Sequence, residues 1–117
     1  MERHSRIADF ETFWPFYVSQ HLRPGTRALH FAGTTLALVL IGTAVATARP
    51  VLYGWAMFSG YFFAWIGHFF IEKNRPATFQ YPLWSLAADF KMYALMWRGR
   101  MEAEVEKLTA FSRAPAS

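Results

Sequence analysis

The sequence predicts an all-α protein built on a membrane helical hairpin, with amphipathic helices flanking the hairpin. Hydrophobic residues make up 54% of the 117 residues and aromatic residues 19%, whereas the apolar residues of an ordinary soluble domain, glycine included, make up about 45–50%. Two uncharged stretches, residues 32–48 and 51–71, follow one another with only Arg49-Pro50 between them. Each stretch is close to or above the shortest helix that crosses a bilayer, so two antiparallel membrane helices are expected.

The composition of the chain sets its broad class. One domain is expected over residues 1–117, because the chain is too short for two. No cysteine is present, which excludes disulfides, thiolate metal sites and cysteine nucleophiles. The net charge of +4 comes from basic residues that flank the apolar stretches and do not form a cluster. A lipid bilayer is therefore the expected partner and nucleic acid is not. The first 30 residues lack the apolar stretch of a signal peptide.

The first predicted element is an amphipathic helix from Asp9 to Gln20, with Asp9 as its N-cap and Pro24-Gly25 ending it. Its aromatic residues recur at helical spacing; they are Phe10, Phe13, Trp14, Phe16 and Tyr17. Such a face suits a membrane interface, and it suits a packed core equally well. The sequence leaves both interpretations open.

The hairpin is predicted as two spans, at about residues 30–48 and 51–72, with the first helix beginning at Thr26. Their uncharged parts hold 17 residues (32–48) and 21 residues (51–71). Both spans contain glycines that allow close helix approach; they are Gly33, Gly42, Gly54, Gly60 and Gly67. The alternative is a pair of core helices in a soluble bundle, which we disfavour because so short a chain has too little left to cover them.

The basic residues around the spans predict their orientation. Arg23 and Arg27 precede the first span, Lys73 and Arg75 follow the second, and Arg49 alone lies at the tip. Because positive charge accumulates on the cytoplasmic side, we expect a multi-pass membrane protein with both termini in the cytoplasm.

A third helix is predicted over residues 83–98, followed by a polar tail over 99–117. The third helix contains Asp89 and Lys91, so it is either interfacial or packed against the hairpin with Asp89 turned inward. Whether it crosses the bilayer is left open. The tail is expected to form a short polar helix carrying Glu102, Glu104, Glu106 and Lys107, with a frayed end at residues 114–117.

Three of the four histidines are predicted to converge. His30 lies 19 residues before Arg49 and His68 lies 19 residues after it, so each is about 28 Å from the hairpin tip. His21 follows the first helix and can fold back beside His30, while His4 is expected to be solvated. Imidazole and carboxylate ligands suit Fe, Zn, Mn or Cu, and ligand type alone does not choose among them. Hydrogen-bonded anchoring of each histidine is the alternative.

Glu72 lies four residues after His68, on the same face if this segment is an α-helix. The two side chains could then share one target near the cytoplasmic end of the hairpin. Pro76 is expected to end the helix. The alternative is that Glu72 pairs with Lys73 or Arg75 as a solvated charge.

Three phrases of the sequence are distinctive: Tyr17-Val18-Ser19-Gln20-His21, Leu29-His30-Phe31-Ala32-Gly33-Thr34 and Gly67-His68-Phe69-Phe70-Ile71-Glu72-Lys73-Asn74-Arg75-Pro76-Ala77. Together they resemble the 2-hydroxy fatty acid dioxygenase family of small membrane proteins. The resemblance covers residues 10–97, and the Gly-His-x3-Glu-Lys-x2-Pro-Ala phrase is its most specific part.

The resemblance implies an Fe(II)-dependent dioxygenase that carries out α-oxidation. A 2-hydroxy fatty acid would react with O2, lose its carboxyl carbon as CO2 and leave a fatty acid one carbon shorter. The family's histidines fall on His21, His30 and His68, which would bind the Fe2+ ion. Glu72 and Asn74 belong to the same motif and are the candidate catalytic residues. The compact chain suggests a bacterial inner-membrane protein.

Further roles follow from that activity. Arg27, Lys73 and Arg75 are candidates to receive the substrate carboxylate, and Asp89, if inward, could orient a ligand imidazole. A tail channel could be lined by four aromatic residues, for which core packing is the competing role; they are Phe62, Phe63, Trp65 and Phe69.

Two other function classes compete with the dioxygenase. A non-catalytic membrane scaffold would use the histidines for structure, with a structural metal or none. A transporter or channel subunit would need polar residues on both sides of the membrane midplane, whereas here they gather at one end. The sequence leaves the oligomeric state open.

Overall fold

The chain folds into helices throughout the part that the computed structural model describes, residues 7–113, with side chains described as far as residue 110. The predicted all-α class is confirmed. The elements in chain order are α1 (Phe10–Ser19), α2 (Pro24–Thr47), α3 (Val51–Ile66), a π-helical turn (Gly67–Glu72), a 3-10 turn (Ala77–Phe79), α4 (Pro82–Trp97) and α5 (Met101–Arg113). His4 and residues 114–117, for which solvation and fraying were predicted, lie outside the described residues.

Helix α1 begins at the predicted cap, where the Asp9 side chain accepts a hydrogen bond of 2.7 Å from the Thr12 amide. Its aromatic face is buried, because Phe13, Trp14 and Tyr17 pack into a core shared with α4 and α5. Of the two interpretations of this face, the packed core is therefore the one found.

Helices α2 and α3 form the predicted hairpin. Helix α2 begins at Pro24, two residues before the expected Thr26, because proline fits the first helical position, where its missing N–H costs nothing. It ends at Thr47, and the next residue, Ala48, has a left-handed conformation (φ 56°) that turns the chain ahead of Pro50. The helices touch at Gly33, where an added Cβ would lie 2.9 Å from the Cβ of Phe63. Glycine is thus required for this close approach.

One helix of the described residues, α2, is long and apolar enough to cross a membrane. Helix α3 has 16 residues before its geometry changes. The hairpin exposes large apolar side chains, among them Val45, Met57 and Phe58, each more than half exposed. This surface is suited to lipid, while the predicted multi-pass topology stays a prediction.

The second span differs from the prediction that it is one α-helix ended by Pro76. Helix α3 ends at Ile66, and the chain continues as a π-helical turn that closes at Lys73, in the left-handed conformation (φ 64°). The His68 carbonyl accepts hydrogen bonds from the amides of both Lys73 and Asn74. This widened turn ends the helix three residues before the proline. Such single π turns recur at functional sites.

Helix α4 packs its buried face, which includes Ala88 and Met92, against α1 and the hairpin. Asp89 points inward, where its carboxylate accepts a hydrogen bond from the Tyr17 hydroxyl. Helix α5 is the predicted polar helix, and Glu104 on it accepts a hydrogen bond of 2.9 Å from the Trp14 indole. The packed alternative for the third helix is thus the one found.

Candidate metal centre

Three histidines from three different elements meet in the interior. His21 comes from the connection after α1, His30 from the second turn of α2, and His68 from the π-helical turn, and all three are buried. The Nε2 atom of His30 lies 3.1 Å from Nε2 of His21 and 3.2 Å from Nε2 of His68. One ring nitrogen of each lies within 4.8 Å of the others. The predicted convergence of the three imidazoles is therefore confirmed.

The hydrogen-bond partners of the Nδ1 atoms of His21 and His68 determine which ring nitrogen carries the proton. His21 Nδ1 lies 2.7 Å from the Tyr17 carbonyl oxygen, and His68 Nδ1 lies 2.7 Å from Oδ1 of Asn74. The Asn74 amide is oriented by its own Nδ2, which donates to the Gln20 carbonyl at 3.2 Å. Both partners of the histidines only accept hydrogen bonds, so both Nδ1 atoms carry the proton. The Nε2 atoms of His21 and His68 are therefore bare lone pairs.

This arrangement leaves too few hydrogen-bond donors for the Nε2 acceptors at the centre of the cluster. His30 Nε2 faces both bare lone pairs and can donate a proton to only one of them. At least one buried acceptor is then left unpaired, at a cost of about 1–3 kcal/mol. A cation at the centre would satisfy all three nitrogens. The donor set, three neutral imidazoles, fits a transition metal such as iron, zinc or copper.

The third histidine has a carboxylate behind it. His30 Nδ1 lies 3.7 Å from Oδ1 of Asp89, which is also the acceptor for the Tyr17 hydroxyl. Burial raises the pKa of Asp89 to about 7, and the Tyr17 hydrogen bond opposes that rise. Burial, together with the negative Asp89, raises the pKa of Tyr17 well above its usual value of 10. Asp89 thus lies inward beside His30, although 3.7 Å is longer than a hydrogen bond. Its predicted role in orienting a ligand imidazole stays a prediction.

His21 is held in its neutral form. Burial lowers its pKa well below the usual 6.5, and the nearby imidazoles of His30 and His68 lower it further. A neutral imidazole with a bare Nε2 is the form that binds metals. The Tyr17 ring stacks on His21 with a centroid distance of 4.0 Å, which fixes the plane of the imidazole.

Glu72 has partners of a different kind from those of His68. Its two carboxylate oxygens accept hydrogen bonds from the amides of Leu22 and Arg23, at 3.1 and 3.2 Å. These amides lie just before α2, where the helix dipole also favours a negative charge. The group of converging ligand atoms consists of the three histidines, without Glu72. The catalytic roles of Glu72 and Asn74 stay predictions.

The three candidate substrate-binding cations lie in different surroundings. The Arg27 guanidinium is buried and donates to the carbonyls of His21 and Leu22 and to Glu102. Lys73 and Arg75 are exposed on the segment after the π-helical turn, and Arg75 lies over the Phe79 ring. The contacts of Arg27 are those of a structural residue, and the substrate roles of all three stay predictions.

A cavity of about 370 Å³ opens from the histidine cluster. The three histidines, Tyr17 and Asp89 line one end, and the remainder runs between α2, α3 and α4 along mainly apolar side chains. Of the four aromatic residues considered for a tail channel, Trp65 lines the cavity. Phe63 instead lies against Gly33 at the helix contact, and Phe62 and Phe69 are almost half exposed.

Comparison with known families identifies a family to which the chain is similar. The family described as "2-hydroxy-palmitic acid dioxygenase Mpo1-like" matches residues 7–101, most of the chain. The chain belongs to the Mpo1-like family. The match spans all three histidines, Glu72, Asn74 and Asp89, and it ends at the first residue of α5. No match was found among curated proteins or among solved structures.

Two features of this Mpo1-like centre were not predicted from sequence. Tyr17 contributes its carbonyl to His21, its ring to the same imidazole and its hydroxyl to Asp89. The spacing of four residues between Tyr17 and His21 could have indicated that their side chains are in contact, because residues i and i+4 lie on the same face of a helix. The role of Arg27 in holding the His21 backbone was not predicted either. Its two carbonyl partners lie only five and six residues away in the chain, whereas its third partner, Glu102, lies 75 residues away.

Proposed function

We propose that the protein is an Fe(II)-dependent dioxygenase that converts a 2-hydroxy fatty acid into the fatty acid one carbon shorter. The observation that carries this proposal is the meeting of three Nε2 atoms at the polar end of an apolar cavity. Membership of the Mpo1-like family, whose description names 2-hydroxy-palmitic acid, supports the substrate class.

The reaction balances without a further reductant. A 2-hydroxy acid and O2 give the shortened acid, CO2 and water. The bond between the carboxyl carbon and the hydroxyl-bearing carbon breaks. The two carbons together lose four electrons, which reduce one O2. A site for this reaction therefore needs to hold the hydroxy acid and O2 and requires no second cofactor.

The residues of the cluster have separate tasks in this proposal. His21, His30 and His68 would hold Fe2+, which when bound supplies a redox-active centre for the reaction of O2 with the 2-hydroxy acid. The Tyr17 carbonyl and Asn74 keep Nδ1 of two imidazoles protonated, and Asp89 lies behind the third. The two hydrogen bonds to Nδ1 fix ring orientation and raise ligand basicity.

The cavity walls suit the rest of the substrate. The apolar side chains of α2 and α3 exclude water from the acyl tail, while the polar end keeps the head group beside the histidines. Lys73 and Arg75 are the proposed groups that attract the carboxylate from the membrane surface. In this arrangement the hairpin lies in the bilayer with both termini in the cytoplasm.

A metal-binding scaffold is the competing function. A structural metal site is usually closed on all sides by protein ligands. Here the three histidines line a cavity large enough for a ligand, which favours a catalytic site.

The test is metal analysis of protein purified without oxygen, together with O2 uptake and CO2 release with 2-hydroxypalmitate. We expect iron in the wild type and turnover that depends on it. His68→Ala is expected to lose both while still inserting in the membrane, and His4→Ala is the matched control. Iron and turnover retained in His68→Ala would contradict the ligand role, and a fully loaded wild type without O2 uptake would favour the scaffold.

A further inference from the structure

The cavity follows one face of α3 away from the histidines. Ala64, Gly60, Ala56 and Tyr53 line it in turn, at intervals of three or four residues, and His68 stands at its polar end. These positions succeed one another along a single helical face. At about 1.5 Å per residue, Gly60 lies about 12 Å and Tyr53 about 22 Å from His68.

Small residues alternate with large ones on the α3 wall, and the small ones, Ala56, Gly60 and Ala64, leave room between larger side chains such as Met57 and Tyr61. Ala56 and Ala64 are buried, and a Cβ added to Gly60 would meet no atom within 4 Å. Gly33 on the facing helix is the opposite case, because its added Cβ would meet Phe63. The missing side chain at Gly60 therefore opens the cavity and does not serve helix contact.

The chemistry of the walls is uniform along this length. On α2 the cavity is lined beyond His30 by Thr34, Ala37, Leu38 and Ile41, none of which carries a charge. The ionisable side chains that line it, apart from two tyrosines farther along α3, gather at the histidine end. A ligand that matches this pattern has one polar head and one long, unbranched apolar tail.

We propose that α3 sets the length of the acyl chain that the cavity binds. The absence of a side chain at Gly60 admits chains that extend more than about 12 Å beyond the histidines. A large side chain at residue 60 would close the cavity about halfway along its length. The proposal rests on the proposed function for the identity of the head group. The length limit itself follows from the cavity walls.

The decisive comparison uses two glycines of the same helix. Gly60→Leu places a leucine in the cavity, whereas Gly54→Leu is a matched control, because Gly54 also has open space at its Cβ but does not line the cavity. Both changes replace a helical glycine with a better helix former. Gly60→Ala and Gly60→Val form a graded series in case the leucine variant does not fold.

Turnover is measured with 2-hydroxypalmitate and with 2-hydroxyoctanoate. For Gly60→Leu we expect the ratio of kcat/KM, long chain over short, to fall by about tenfold or more, since a pocket discriminates by that factor for even a small misfit. Gly54→Leu should keep the wild-type ratio. An unchanged ratio in Gly60→Leu, or an equal fall in Gly54→Leu, would overturn the proposal.

A binding measurement separates this proposal from the dioxygenase function. Palmitate and octanoate are used to displace the fluorescent fatty acid cis-parinaric acid from each purified variant. Wild-type preference for palmitate that is lost in Gly60→Leu supports the length limit even if no 2-hydroxy acid is turned over. A wild type that binds neither fatty acid, or an identical preference in both glycine variants, refutes it.

Discussion

The guanidinium of Arg27 donates a hydrogen bond of 2.7 Å to the carbonyl oxygen of His21. The same group donates to the Leu22 carbonyl and, at 2.6 Å, to Glu102 on α5. A buried arginine thus fixes the backbone that carries one of the three converging histidines. Glu102 lies just beyond the family match, which includes only the first residue of α5. A helix that lies almost entirely outside that match therefore supports the site through Arg27.

Replacing Arg27 by Met should destabilise the protein and loosen the metal centre. Two main-chain carbonyls lose their donor, which we expect to cost about 1–3 kcal/mol, and the His21 backbone loses its anchor. Thermal unfolding and the rate of metal loss to a chelator measure the two effects. The exposed Arg23 gives the control Arg23→Met; equal behaviour of the two variants would remove the special role of Arg27.

Asn74→Leu should weaken metal binding by about 10–100-fold, the usual effect of removing a partner of a ligand histidine. The leucine cannot accept the proton on His68 Nδ1, so the ring is free to turn. Asn74→Asp keeps the acceptor and should bind metal better than the leucine variant. Metal titration of the three proteins gives the comparison, and equal affinity of Asn74→Leu and wild type would contradict it.

Glu72→Gln should keep its metal and lose about 1 kcal/mol of stability. The expected loss follows from the contacts of the carboxylate with the amides before α2, where a capping charge contributes about this amount. Iron content and unfolding are measured together. Loss of iron would identify Glu72 as a ligand, and loss of rate with iron retained would support the predicted catalytic role.

Gly33→Ala should destabilise the hairpin by about 1–3 kcal/mol, the usual cost of forcing an extra group into a packed contact. The new Cβ would approach Phe63 to 2.9 Å and the Ser59 carbonyl oxygen to 3.1 Å. Gly42→Ala on the same helix meets no atom within 4 Å and should be neutral or stabilising. Circular dichroism during heating measures both, and a tolerated Gly33→Ala would show that the contact can relax.

Stability should fall in acid through Glu104. The hydrogen bond from the Trp14 indole lowers the pKa of Glu104 below its ordinary value of 4.5, so the unfolded chain binds the proton more tightly. The contribution is therefore complete above about pH 4.5 and is lost as the pH falls through the lowered pKa. Unfolding midpoints at several pH values should depend less on acid in Glu104→Gln than in the exposed control Glu106→Gln. Identical profiles would rule out this linkage.

Local patterns in the sequence were sufficient to predict the helices and their order. Asp9 caps α1 as expected, because an aspartate at the N-cap accepts a hydrogen bond from an unpaired amide of the first turn, and this contact is local in sequence. The matched depth of His30 and His68 also followed from counting, since two helices joined by a tight turn rise at the same rate. The change to π-helical geometry at Gly67 could not be predicted by counting residues. Nor could the close approach of α2 there, where a Cβ added to Gly67 would lie 3.0 Å from the Thr26 side chain.

The sequence by itself determined that two apolar helices would return to a common end and bring imidazoles with them, because helical period and the position of a turn are local properties. Only the tertiary structure decided what each polar group faces. Glu72 turns to the amides before α2, 49 and 50 residues away, and Arg27 reaches Glu102, 75 residues away. Asn74 contacts the nearby His68 but is itself oriented by the Gln20 carbonyl, 54 residues away. Such pairings are set by how the helices pack and not by any local pattern.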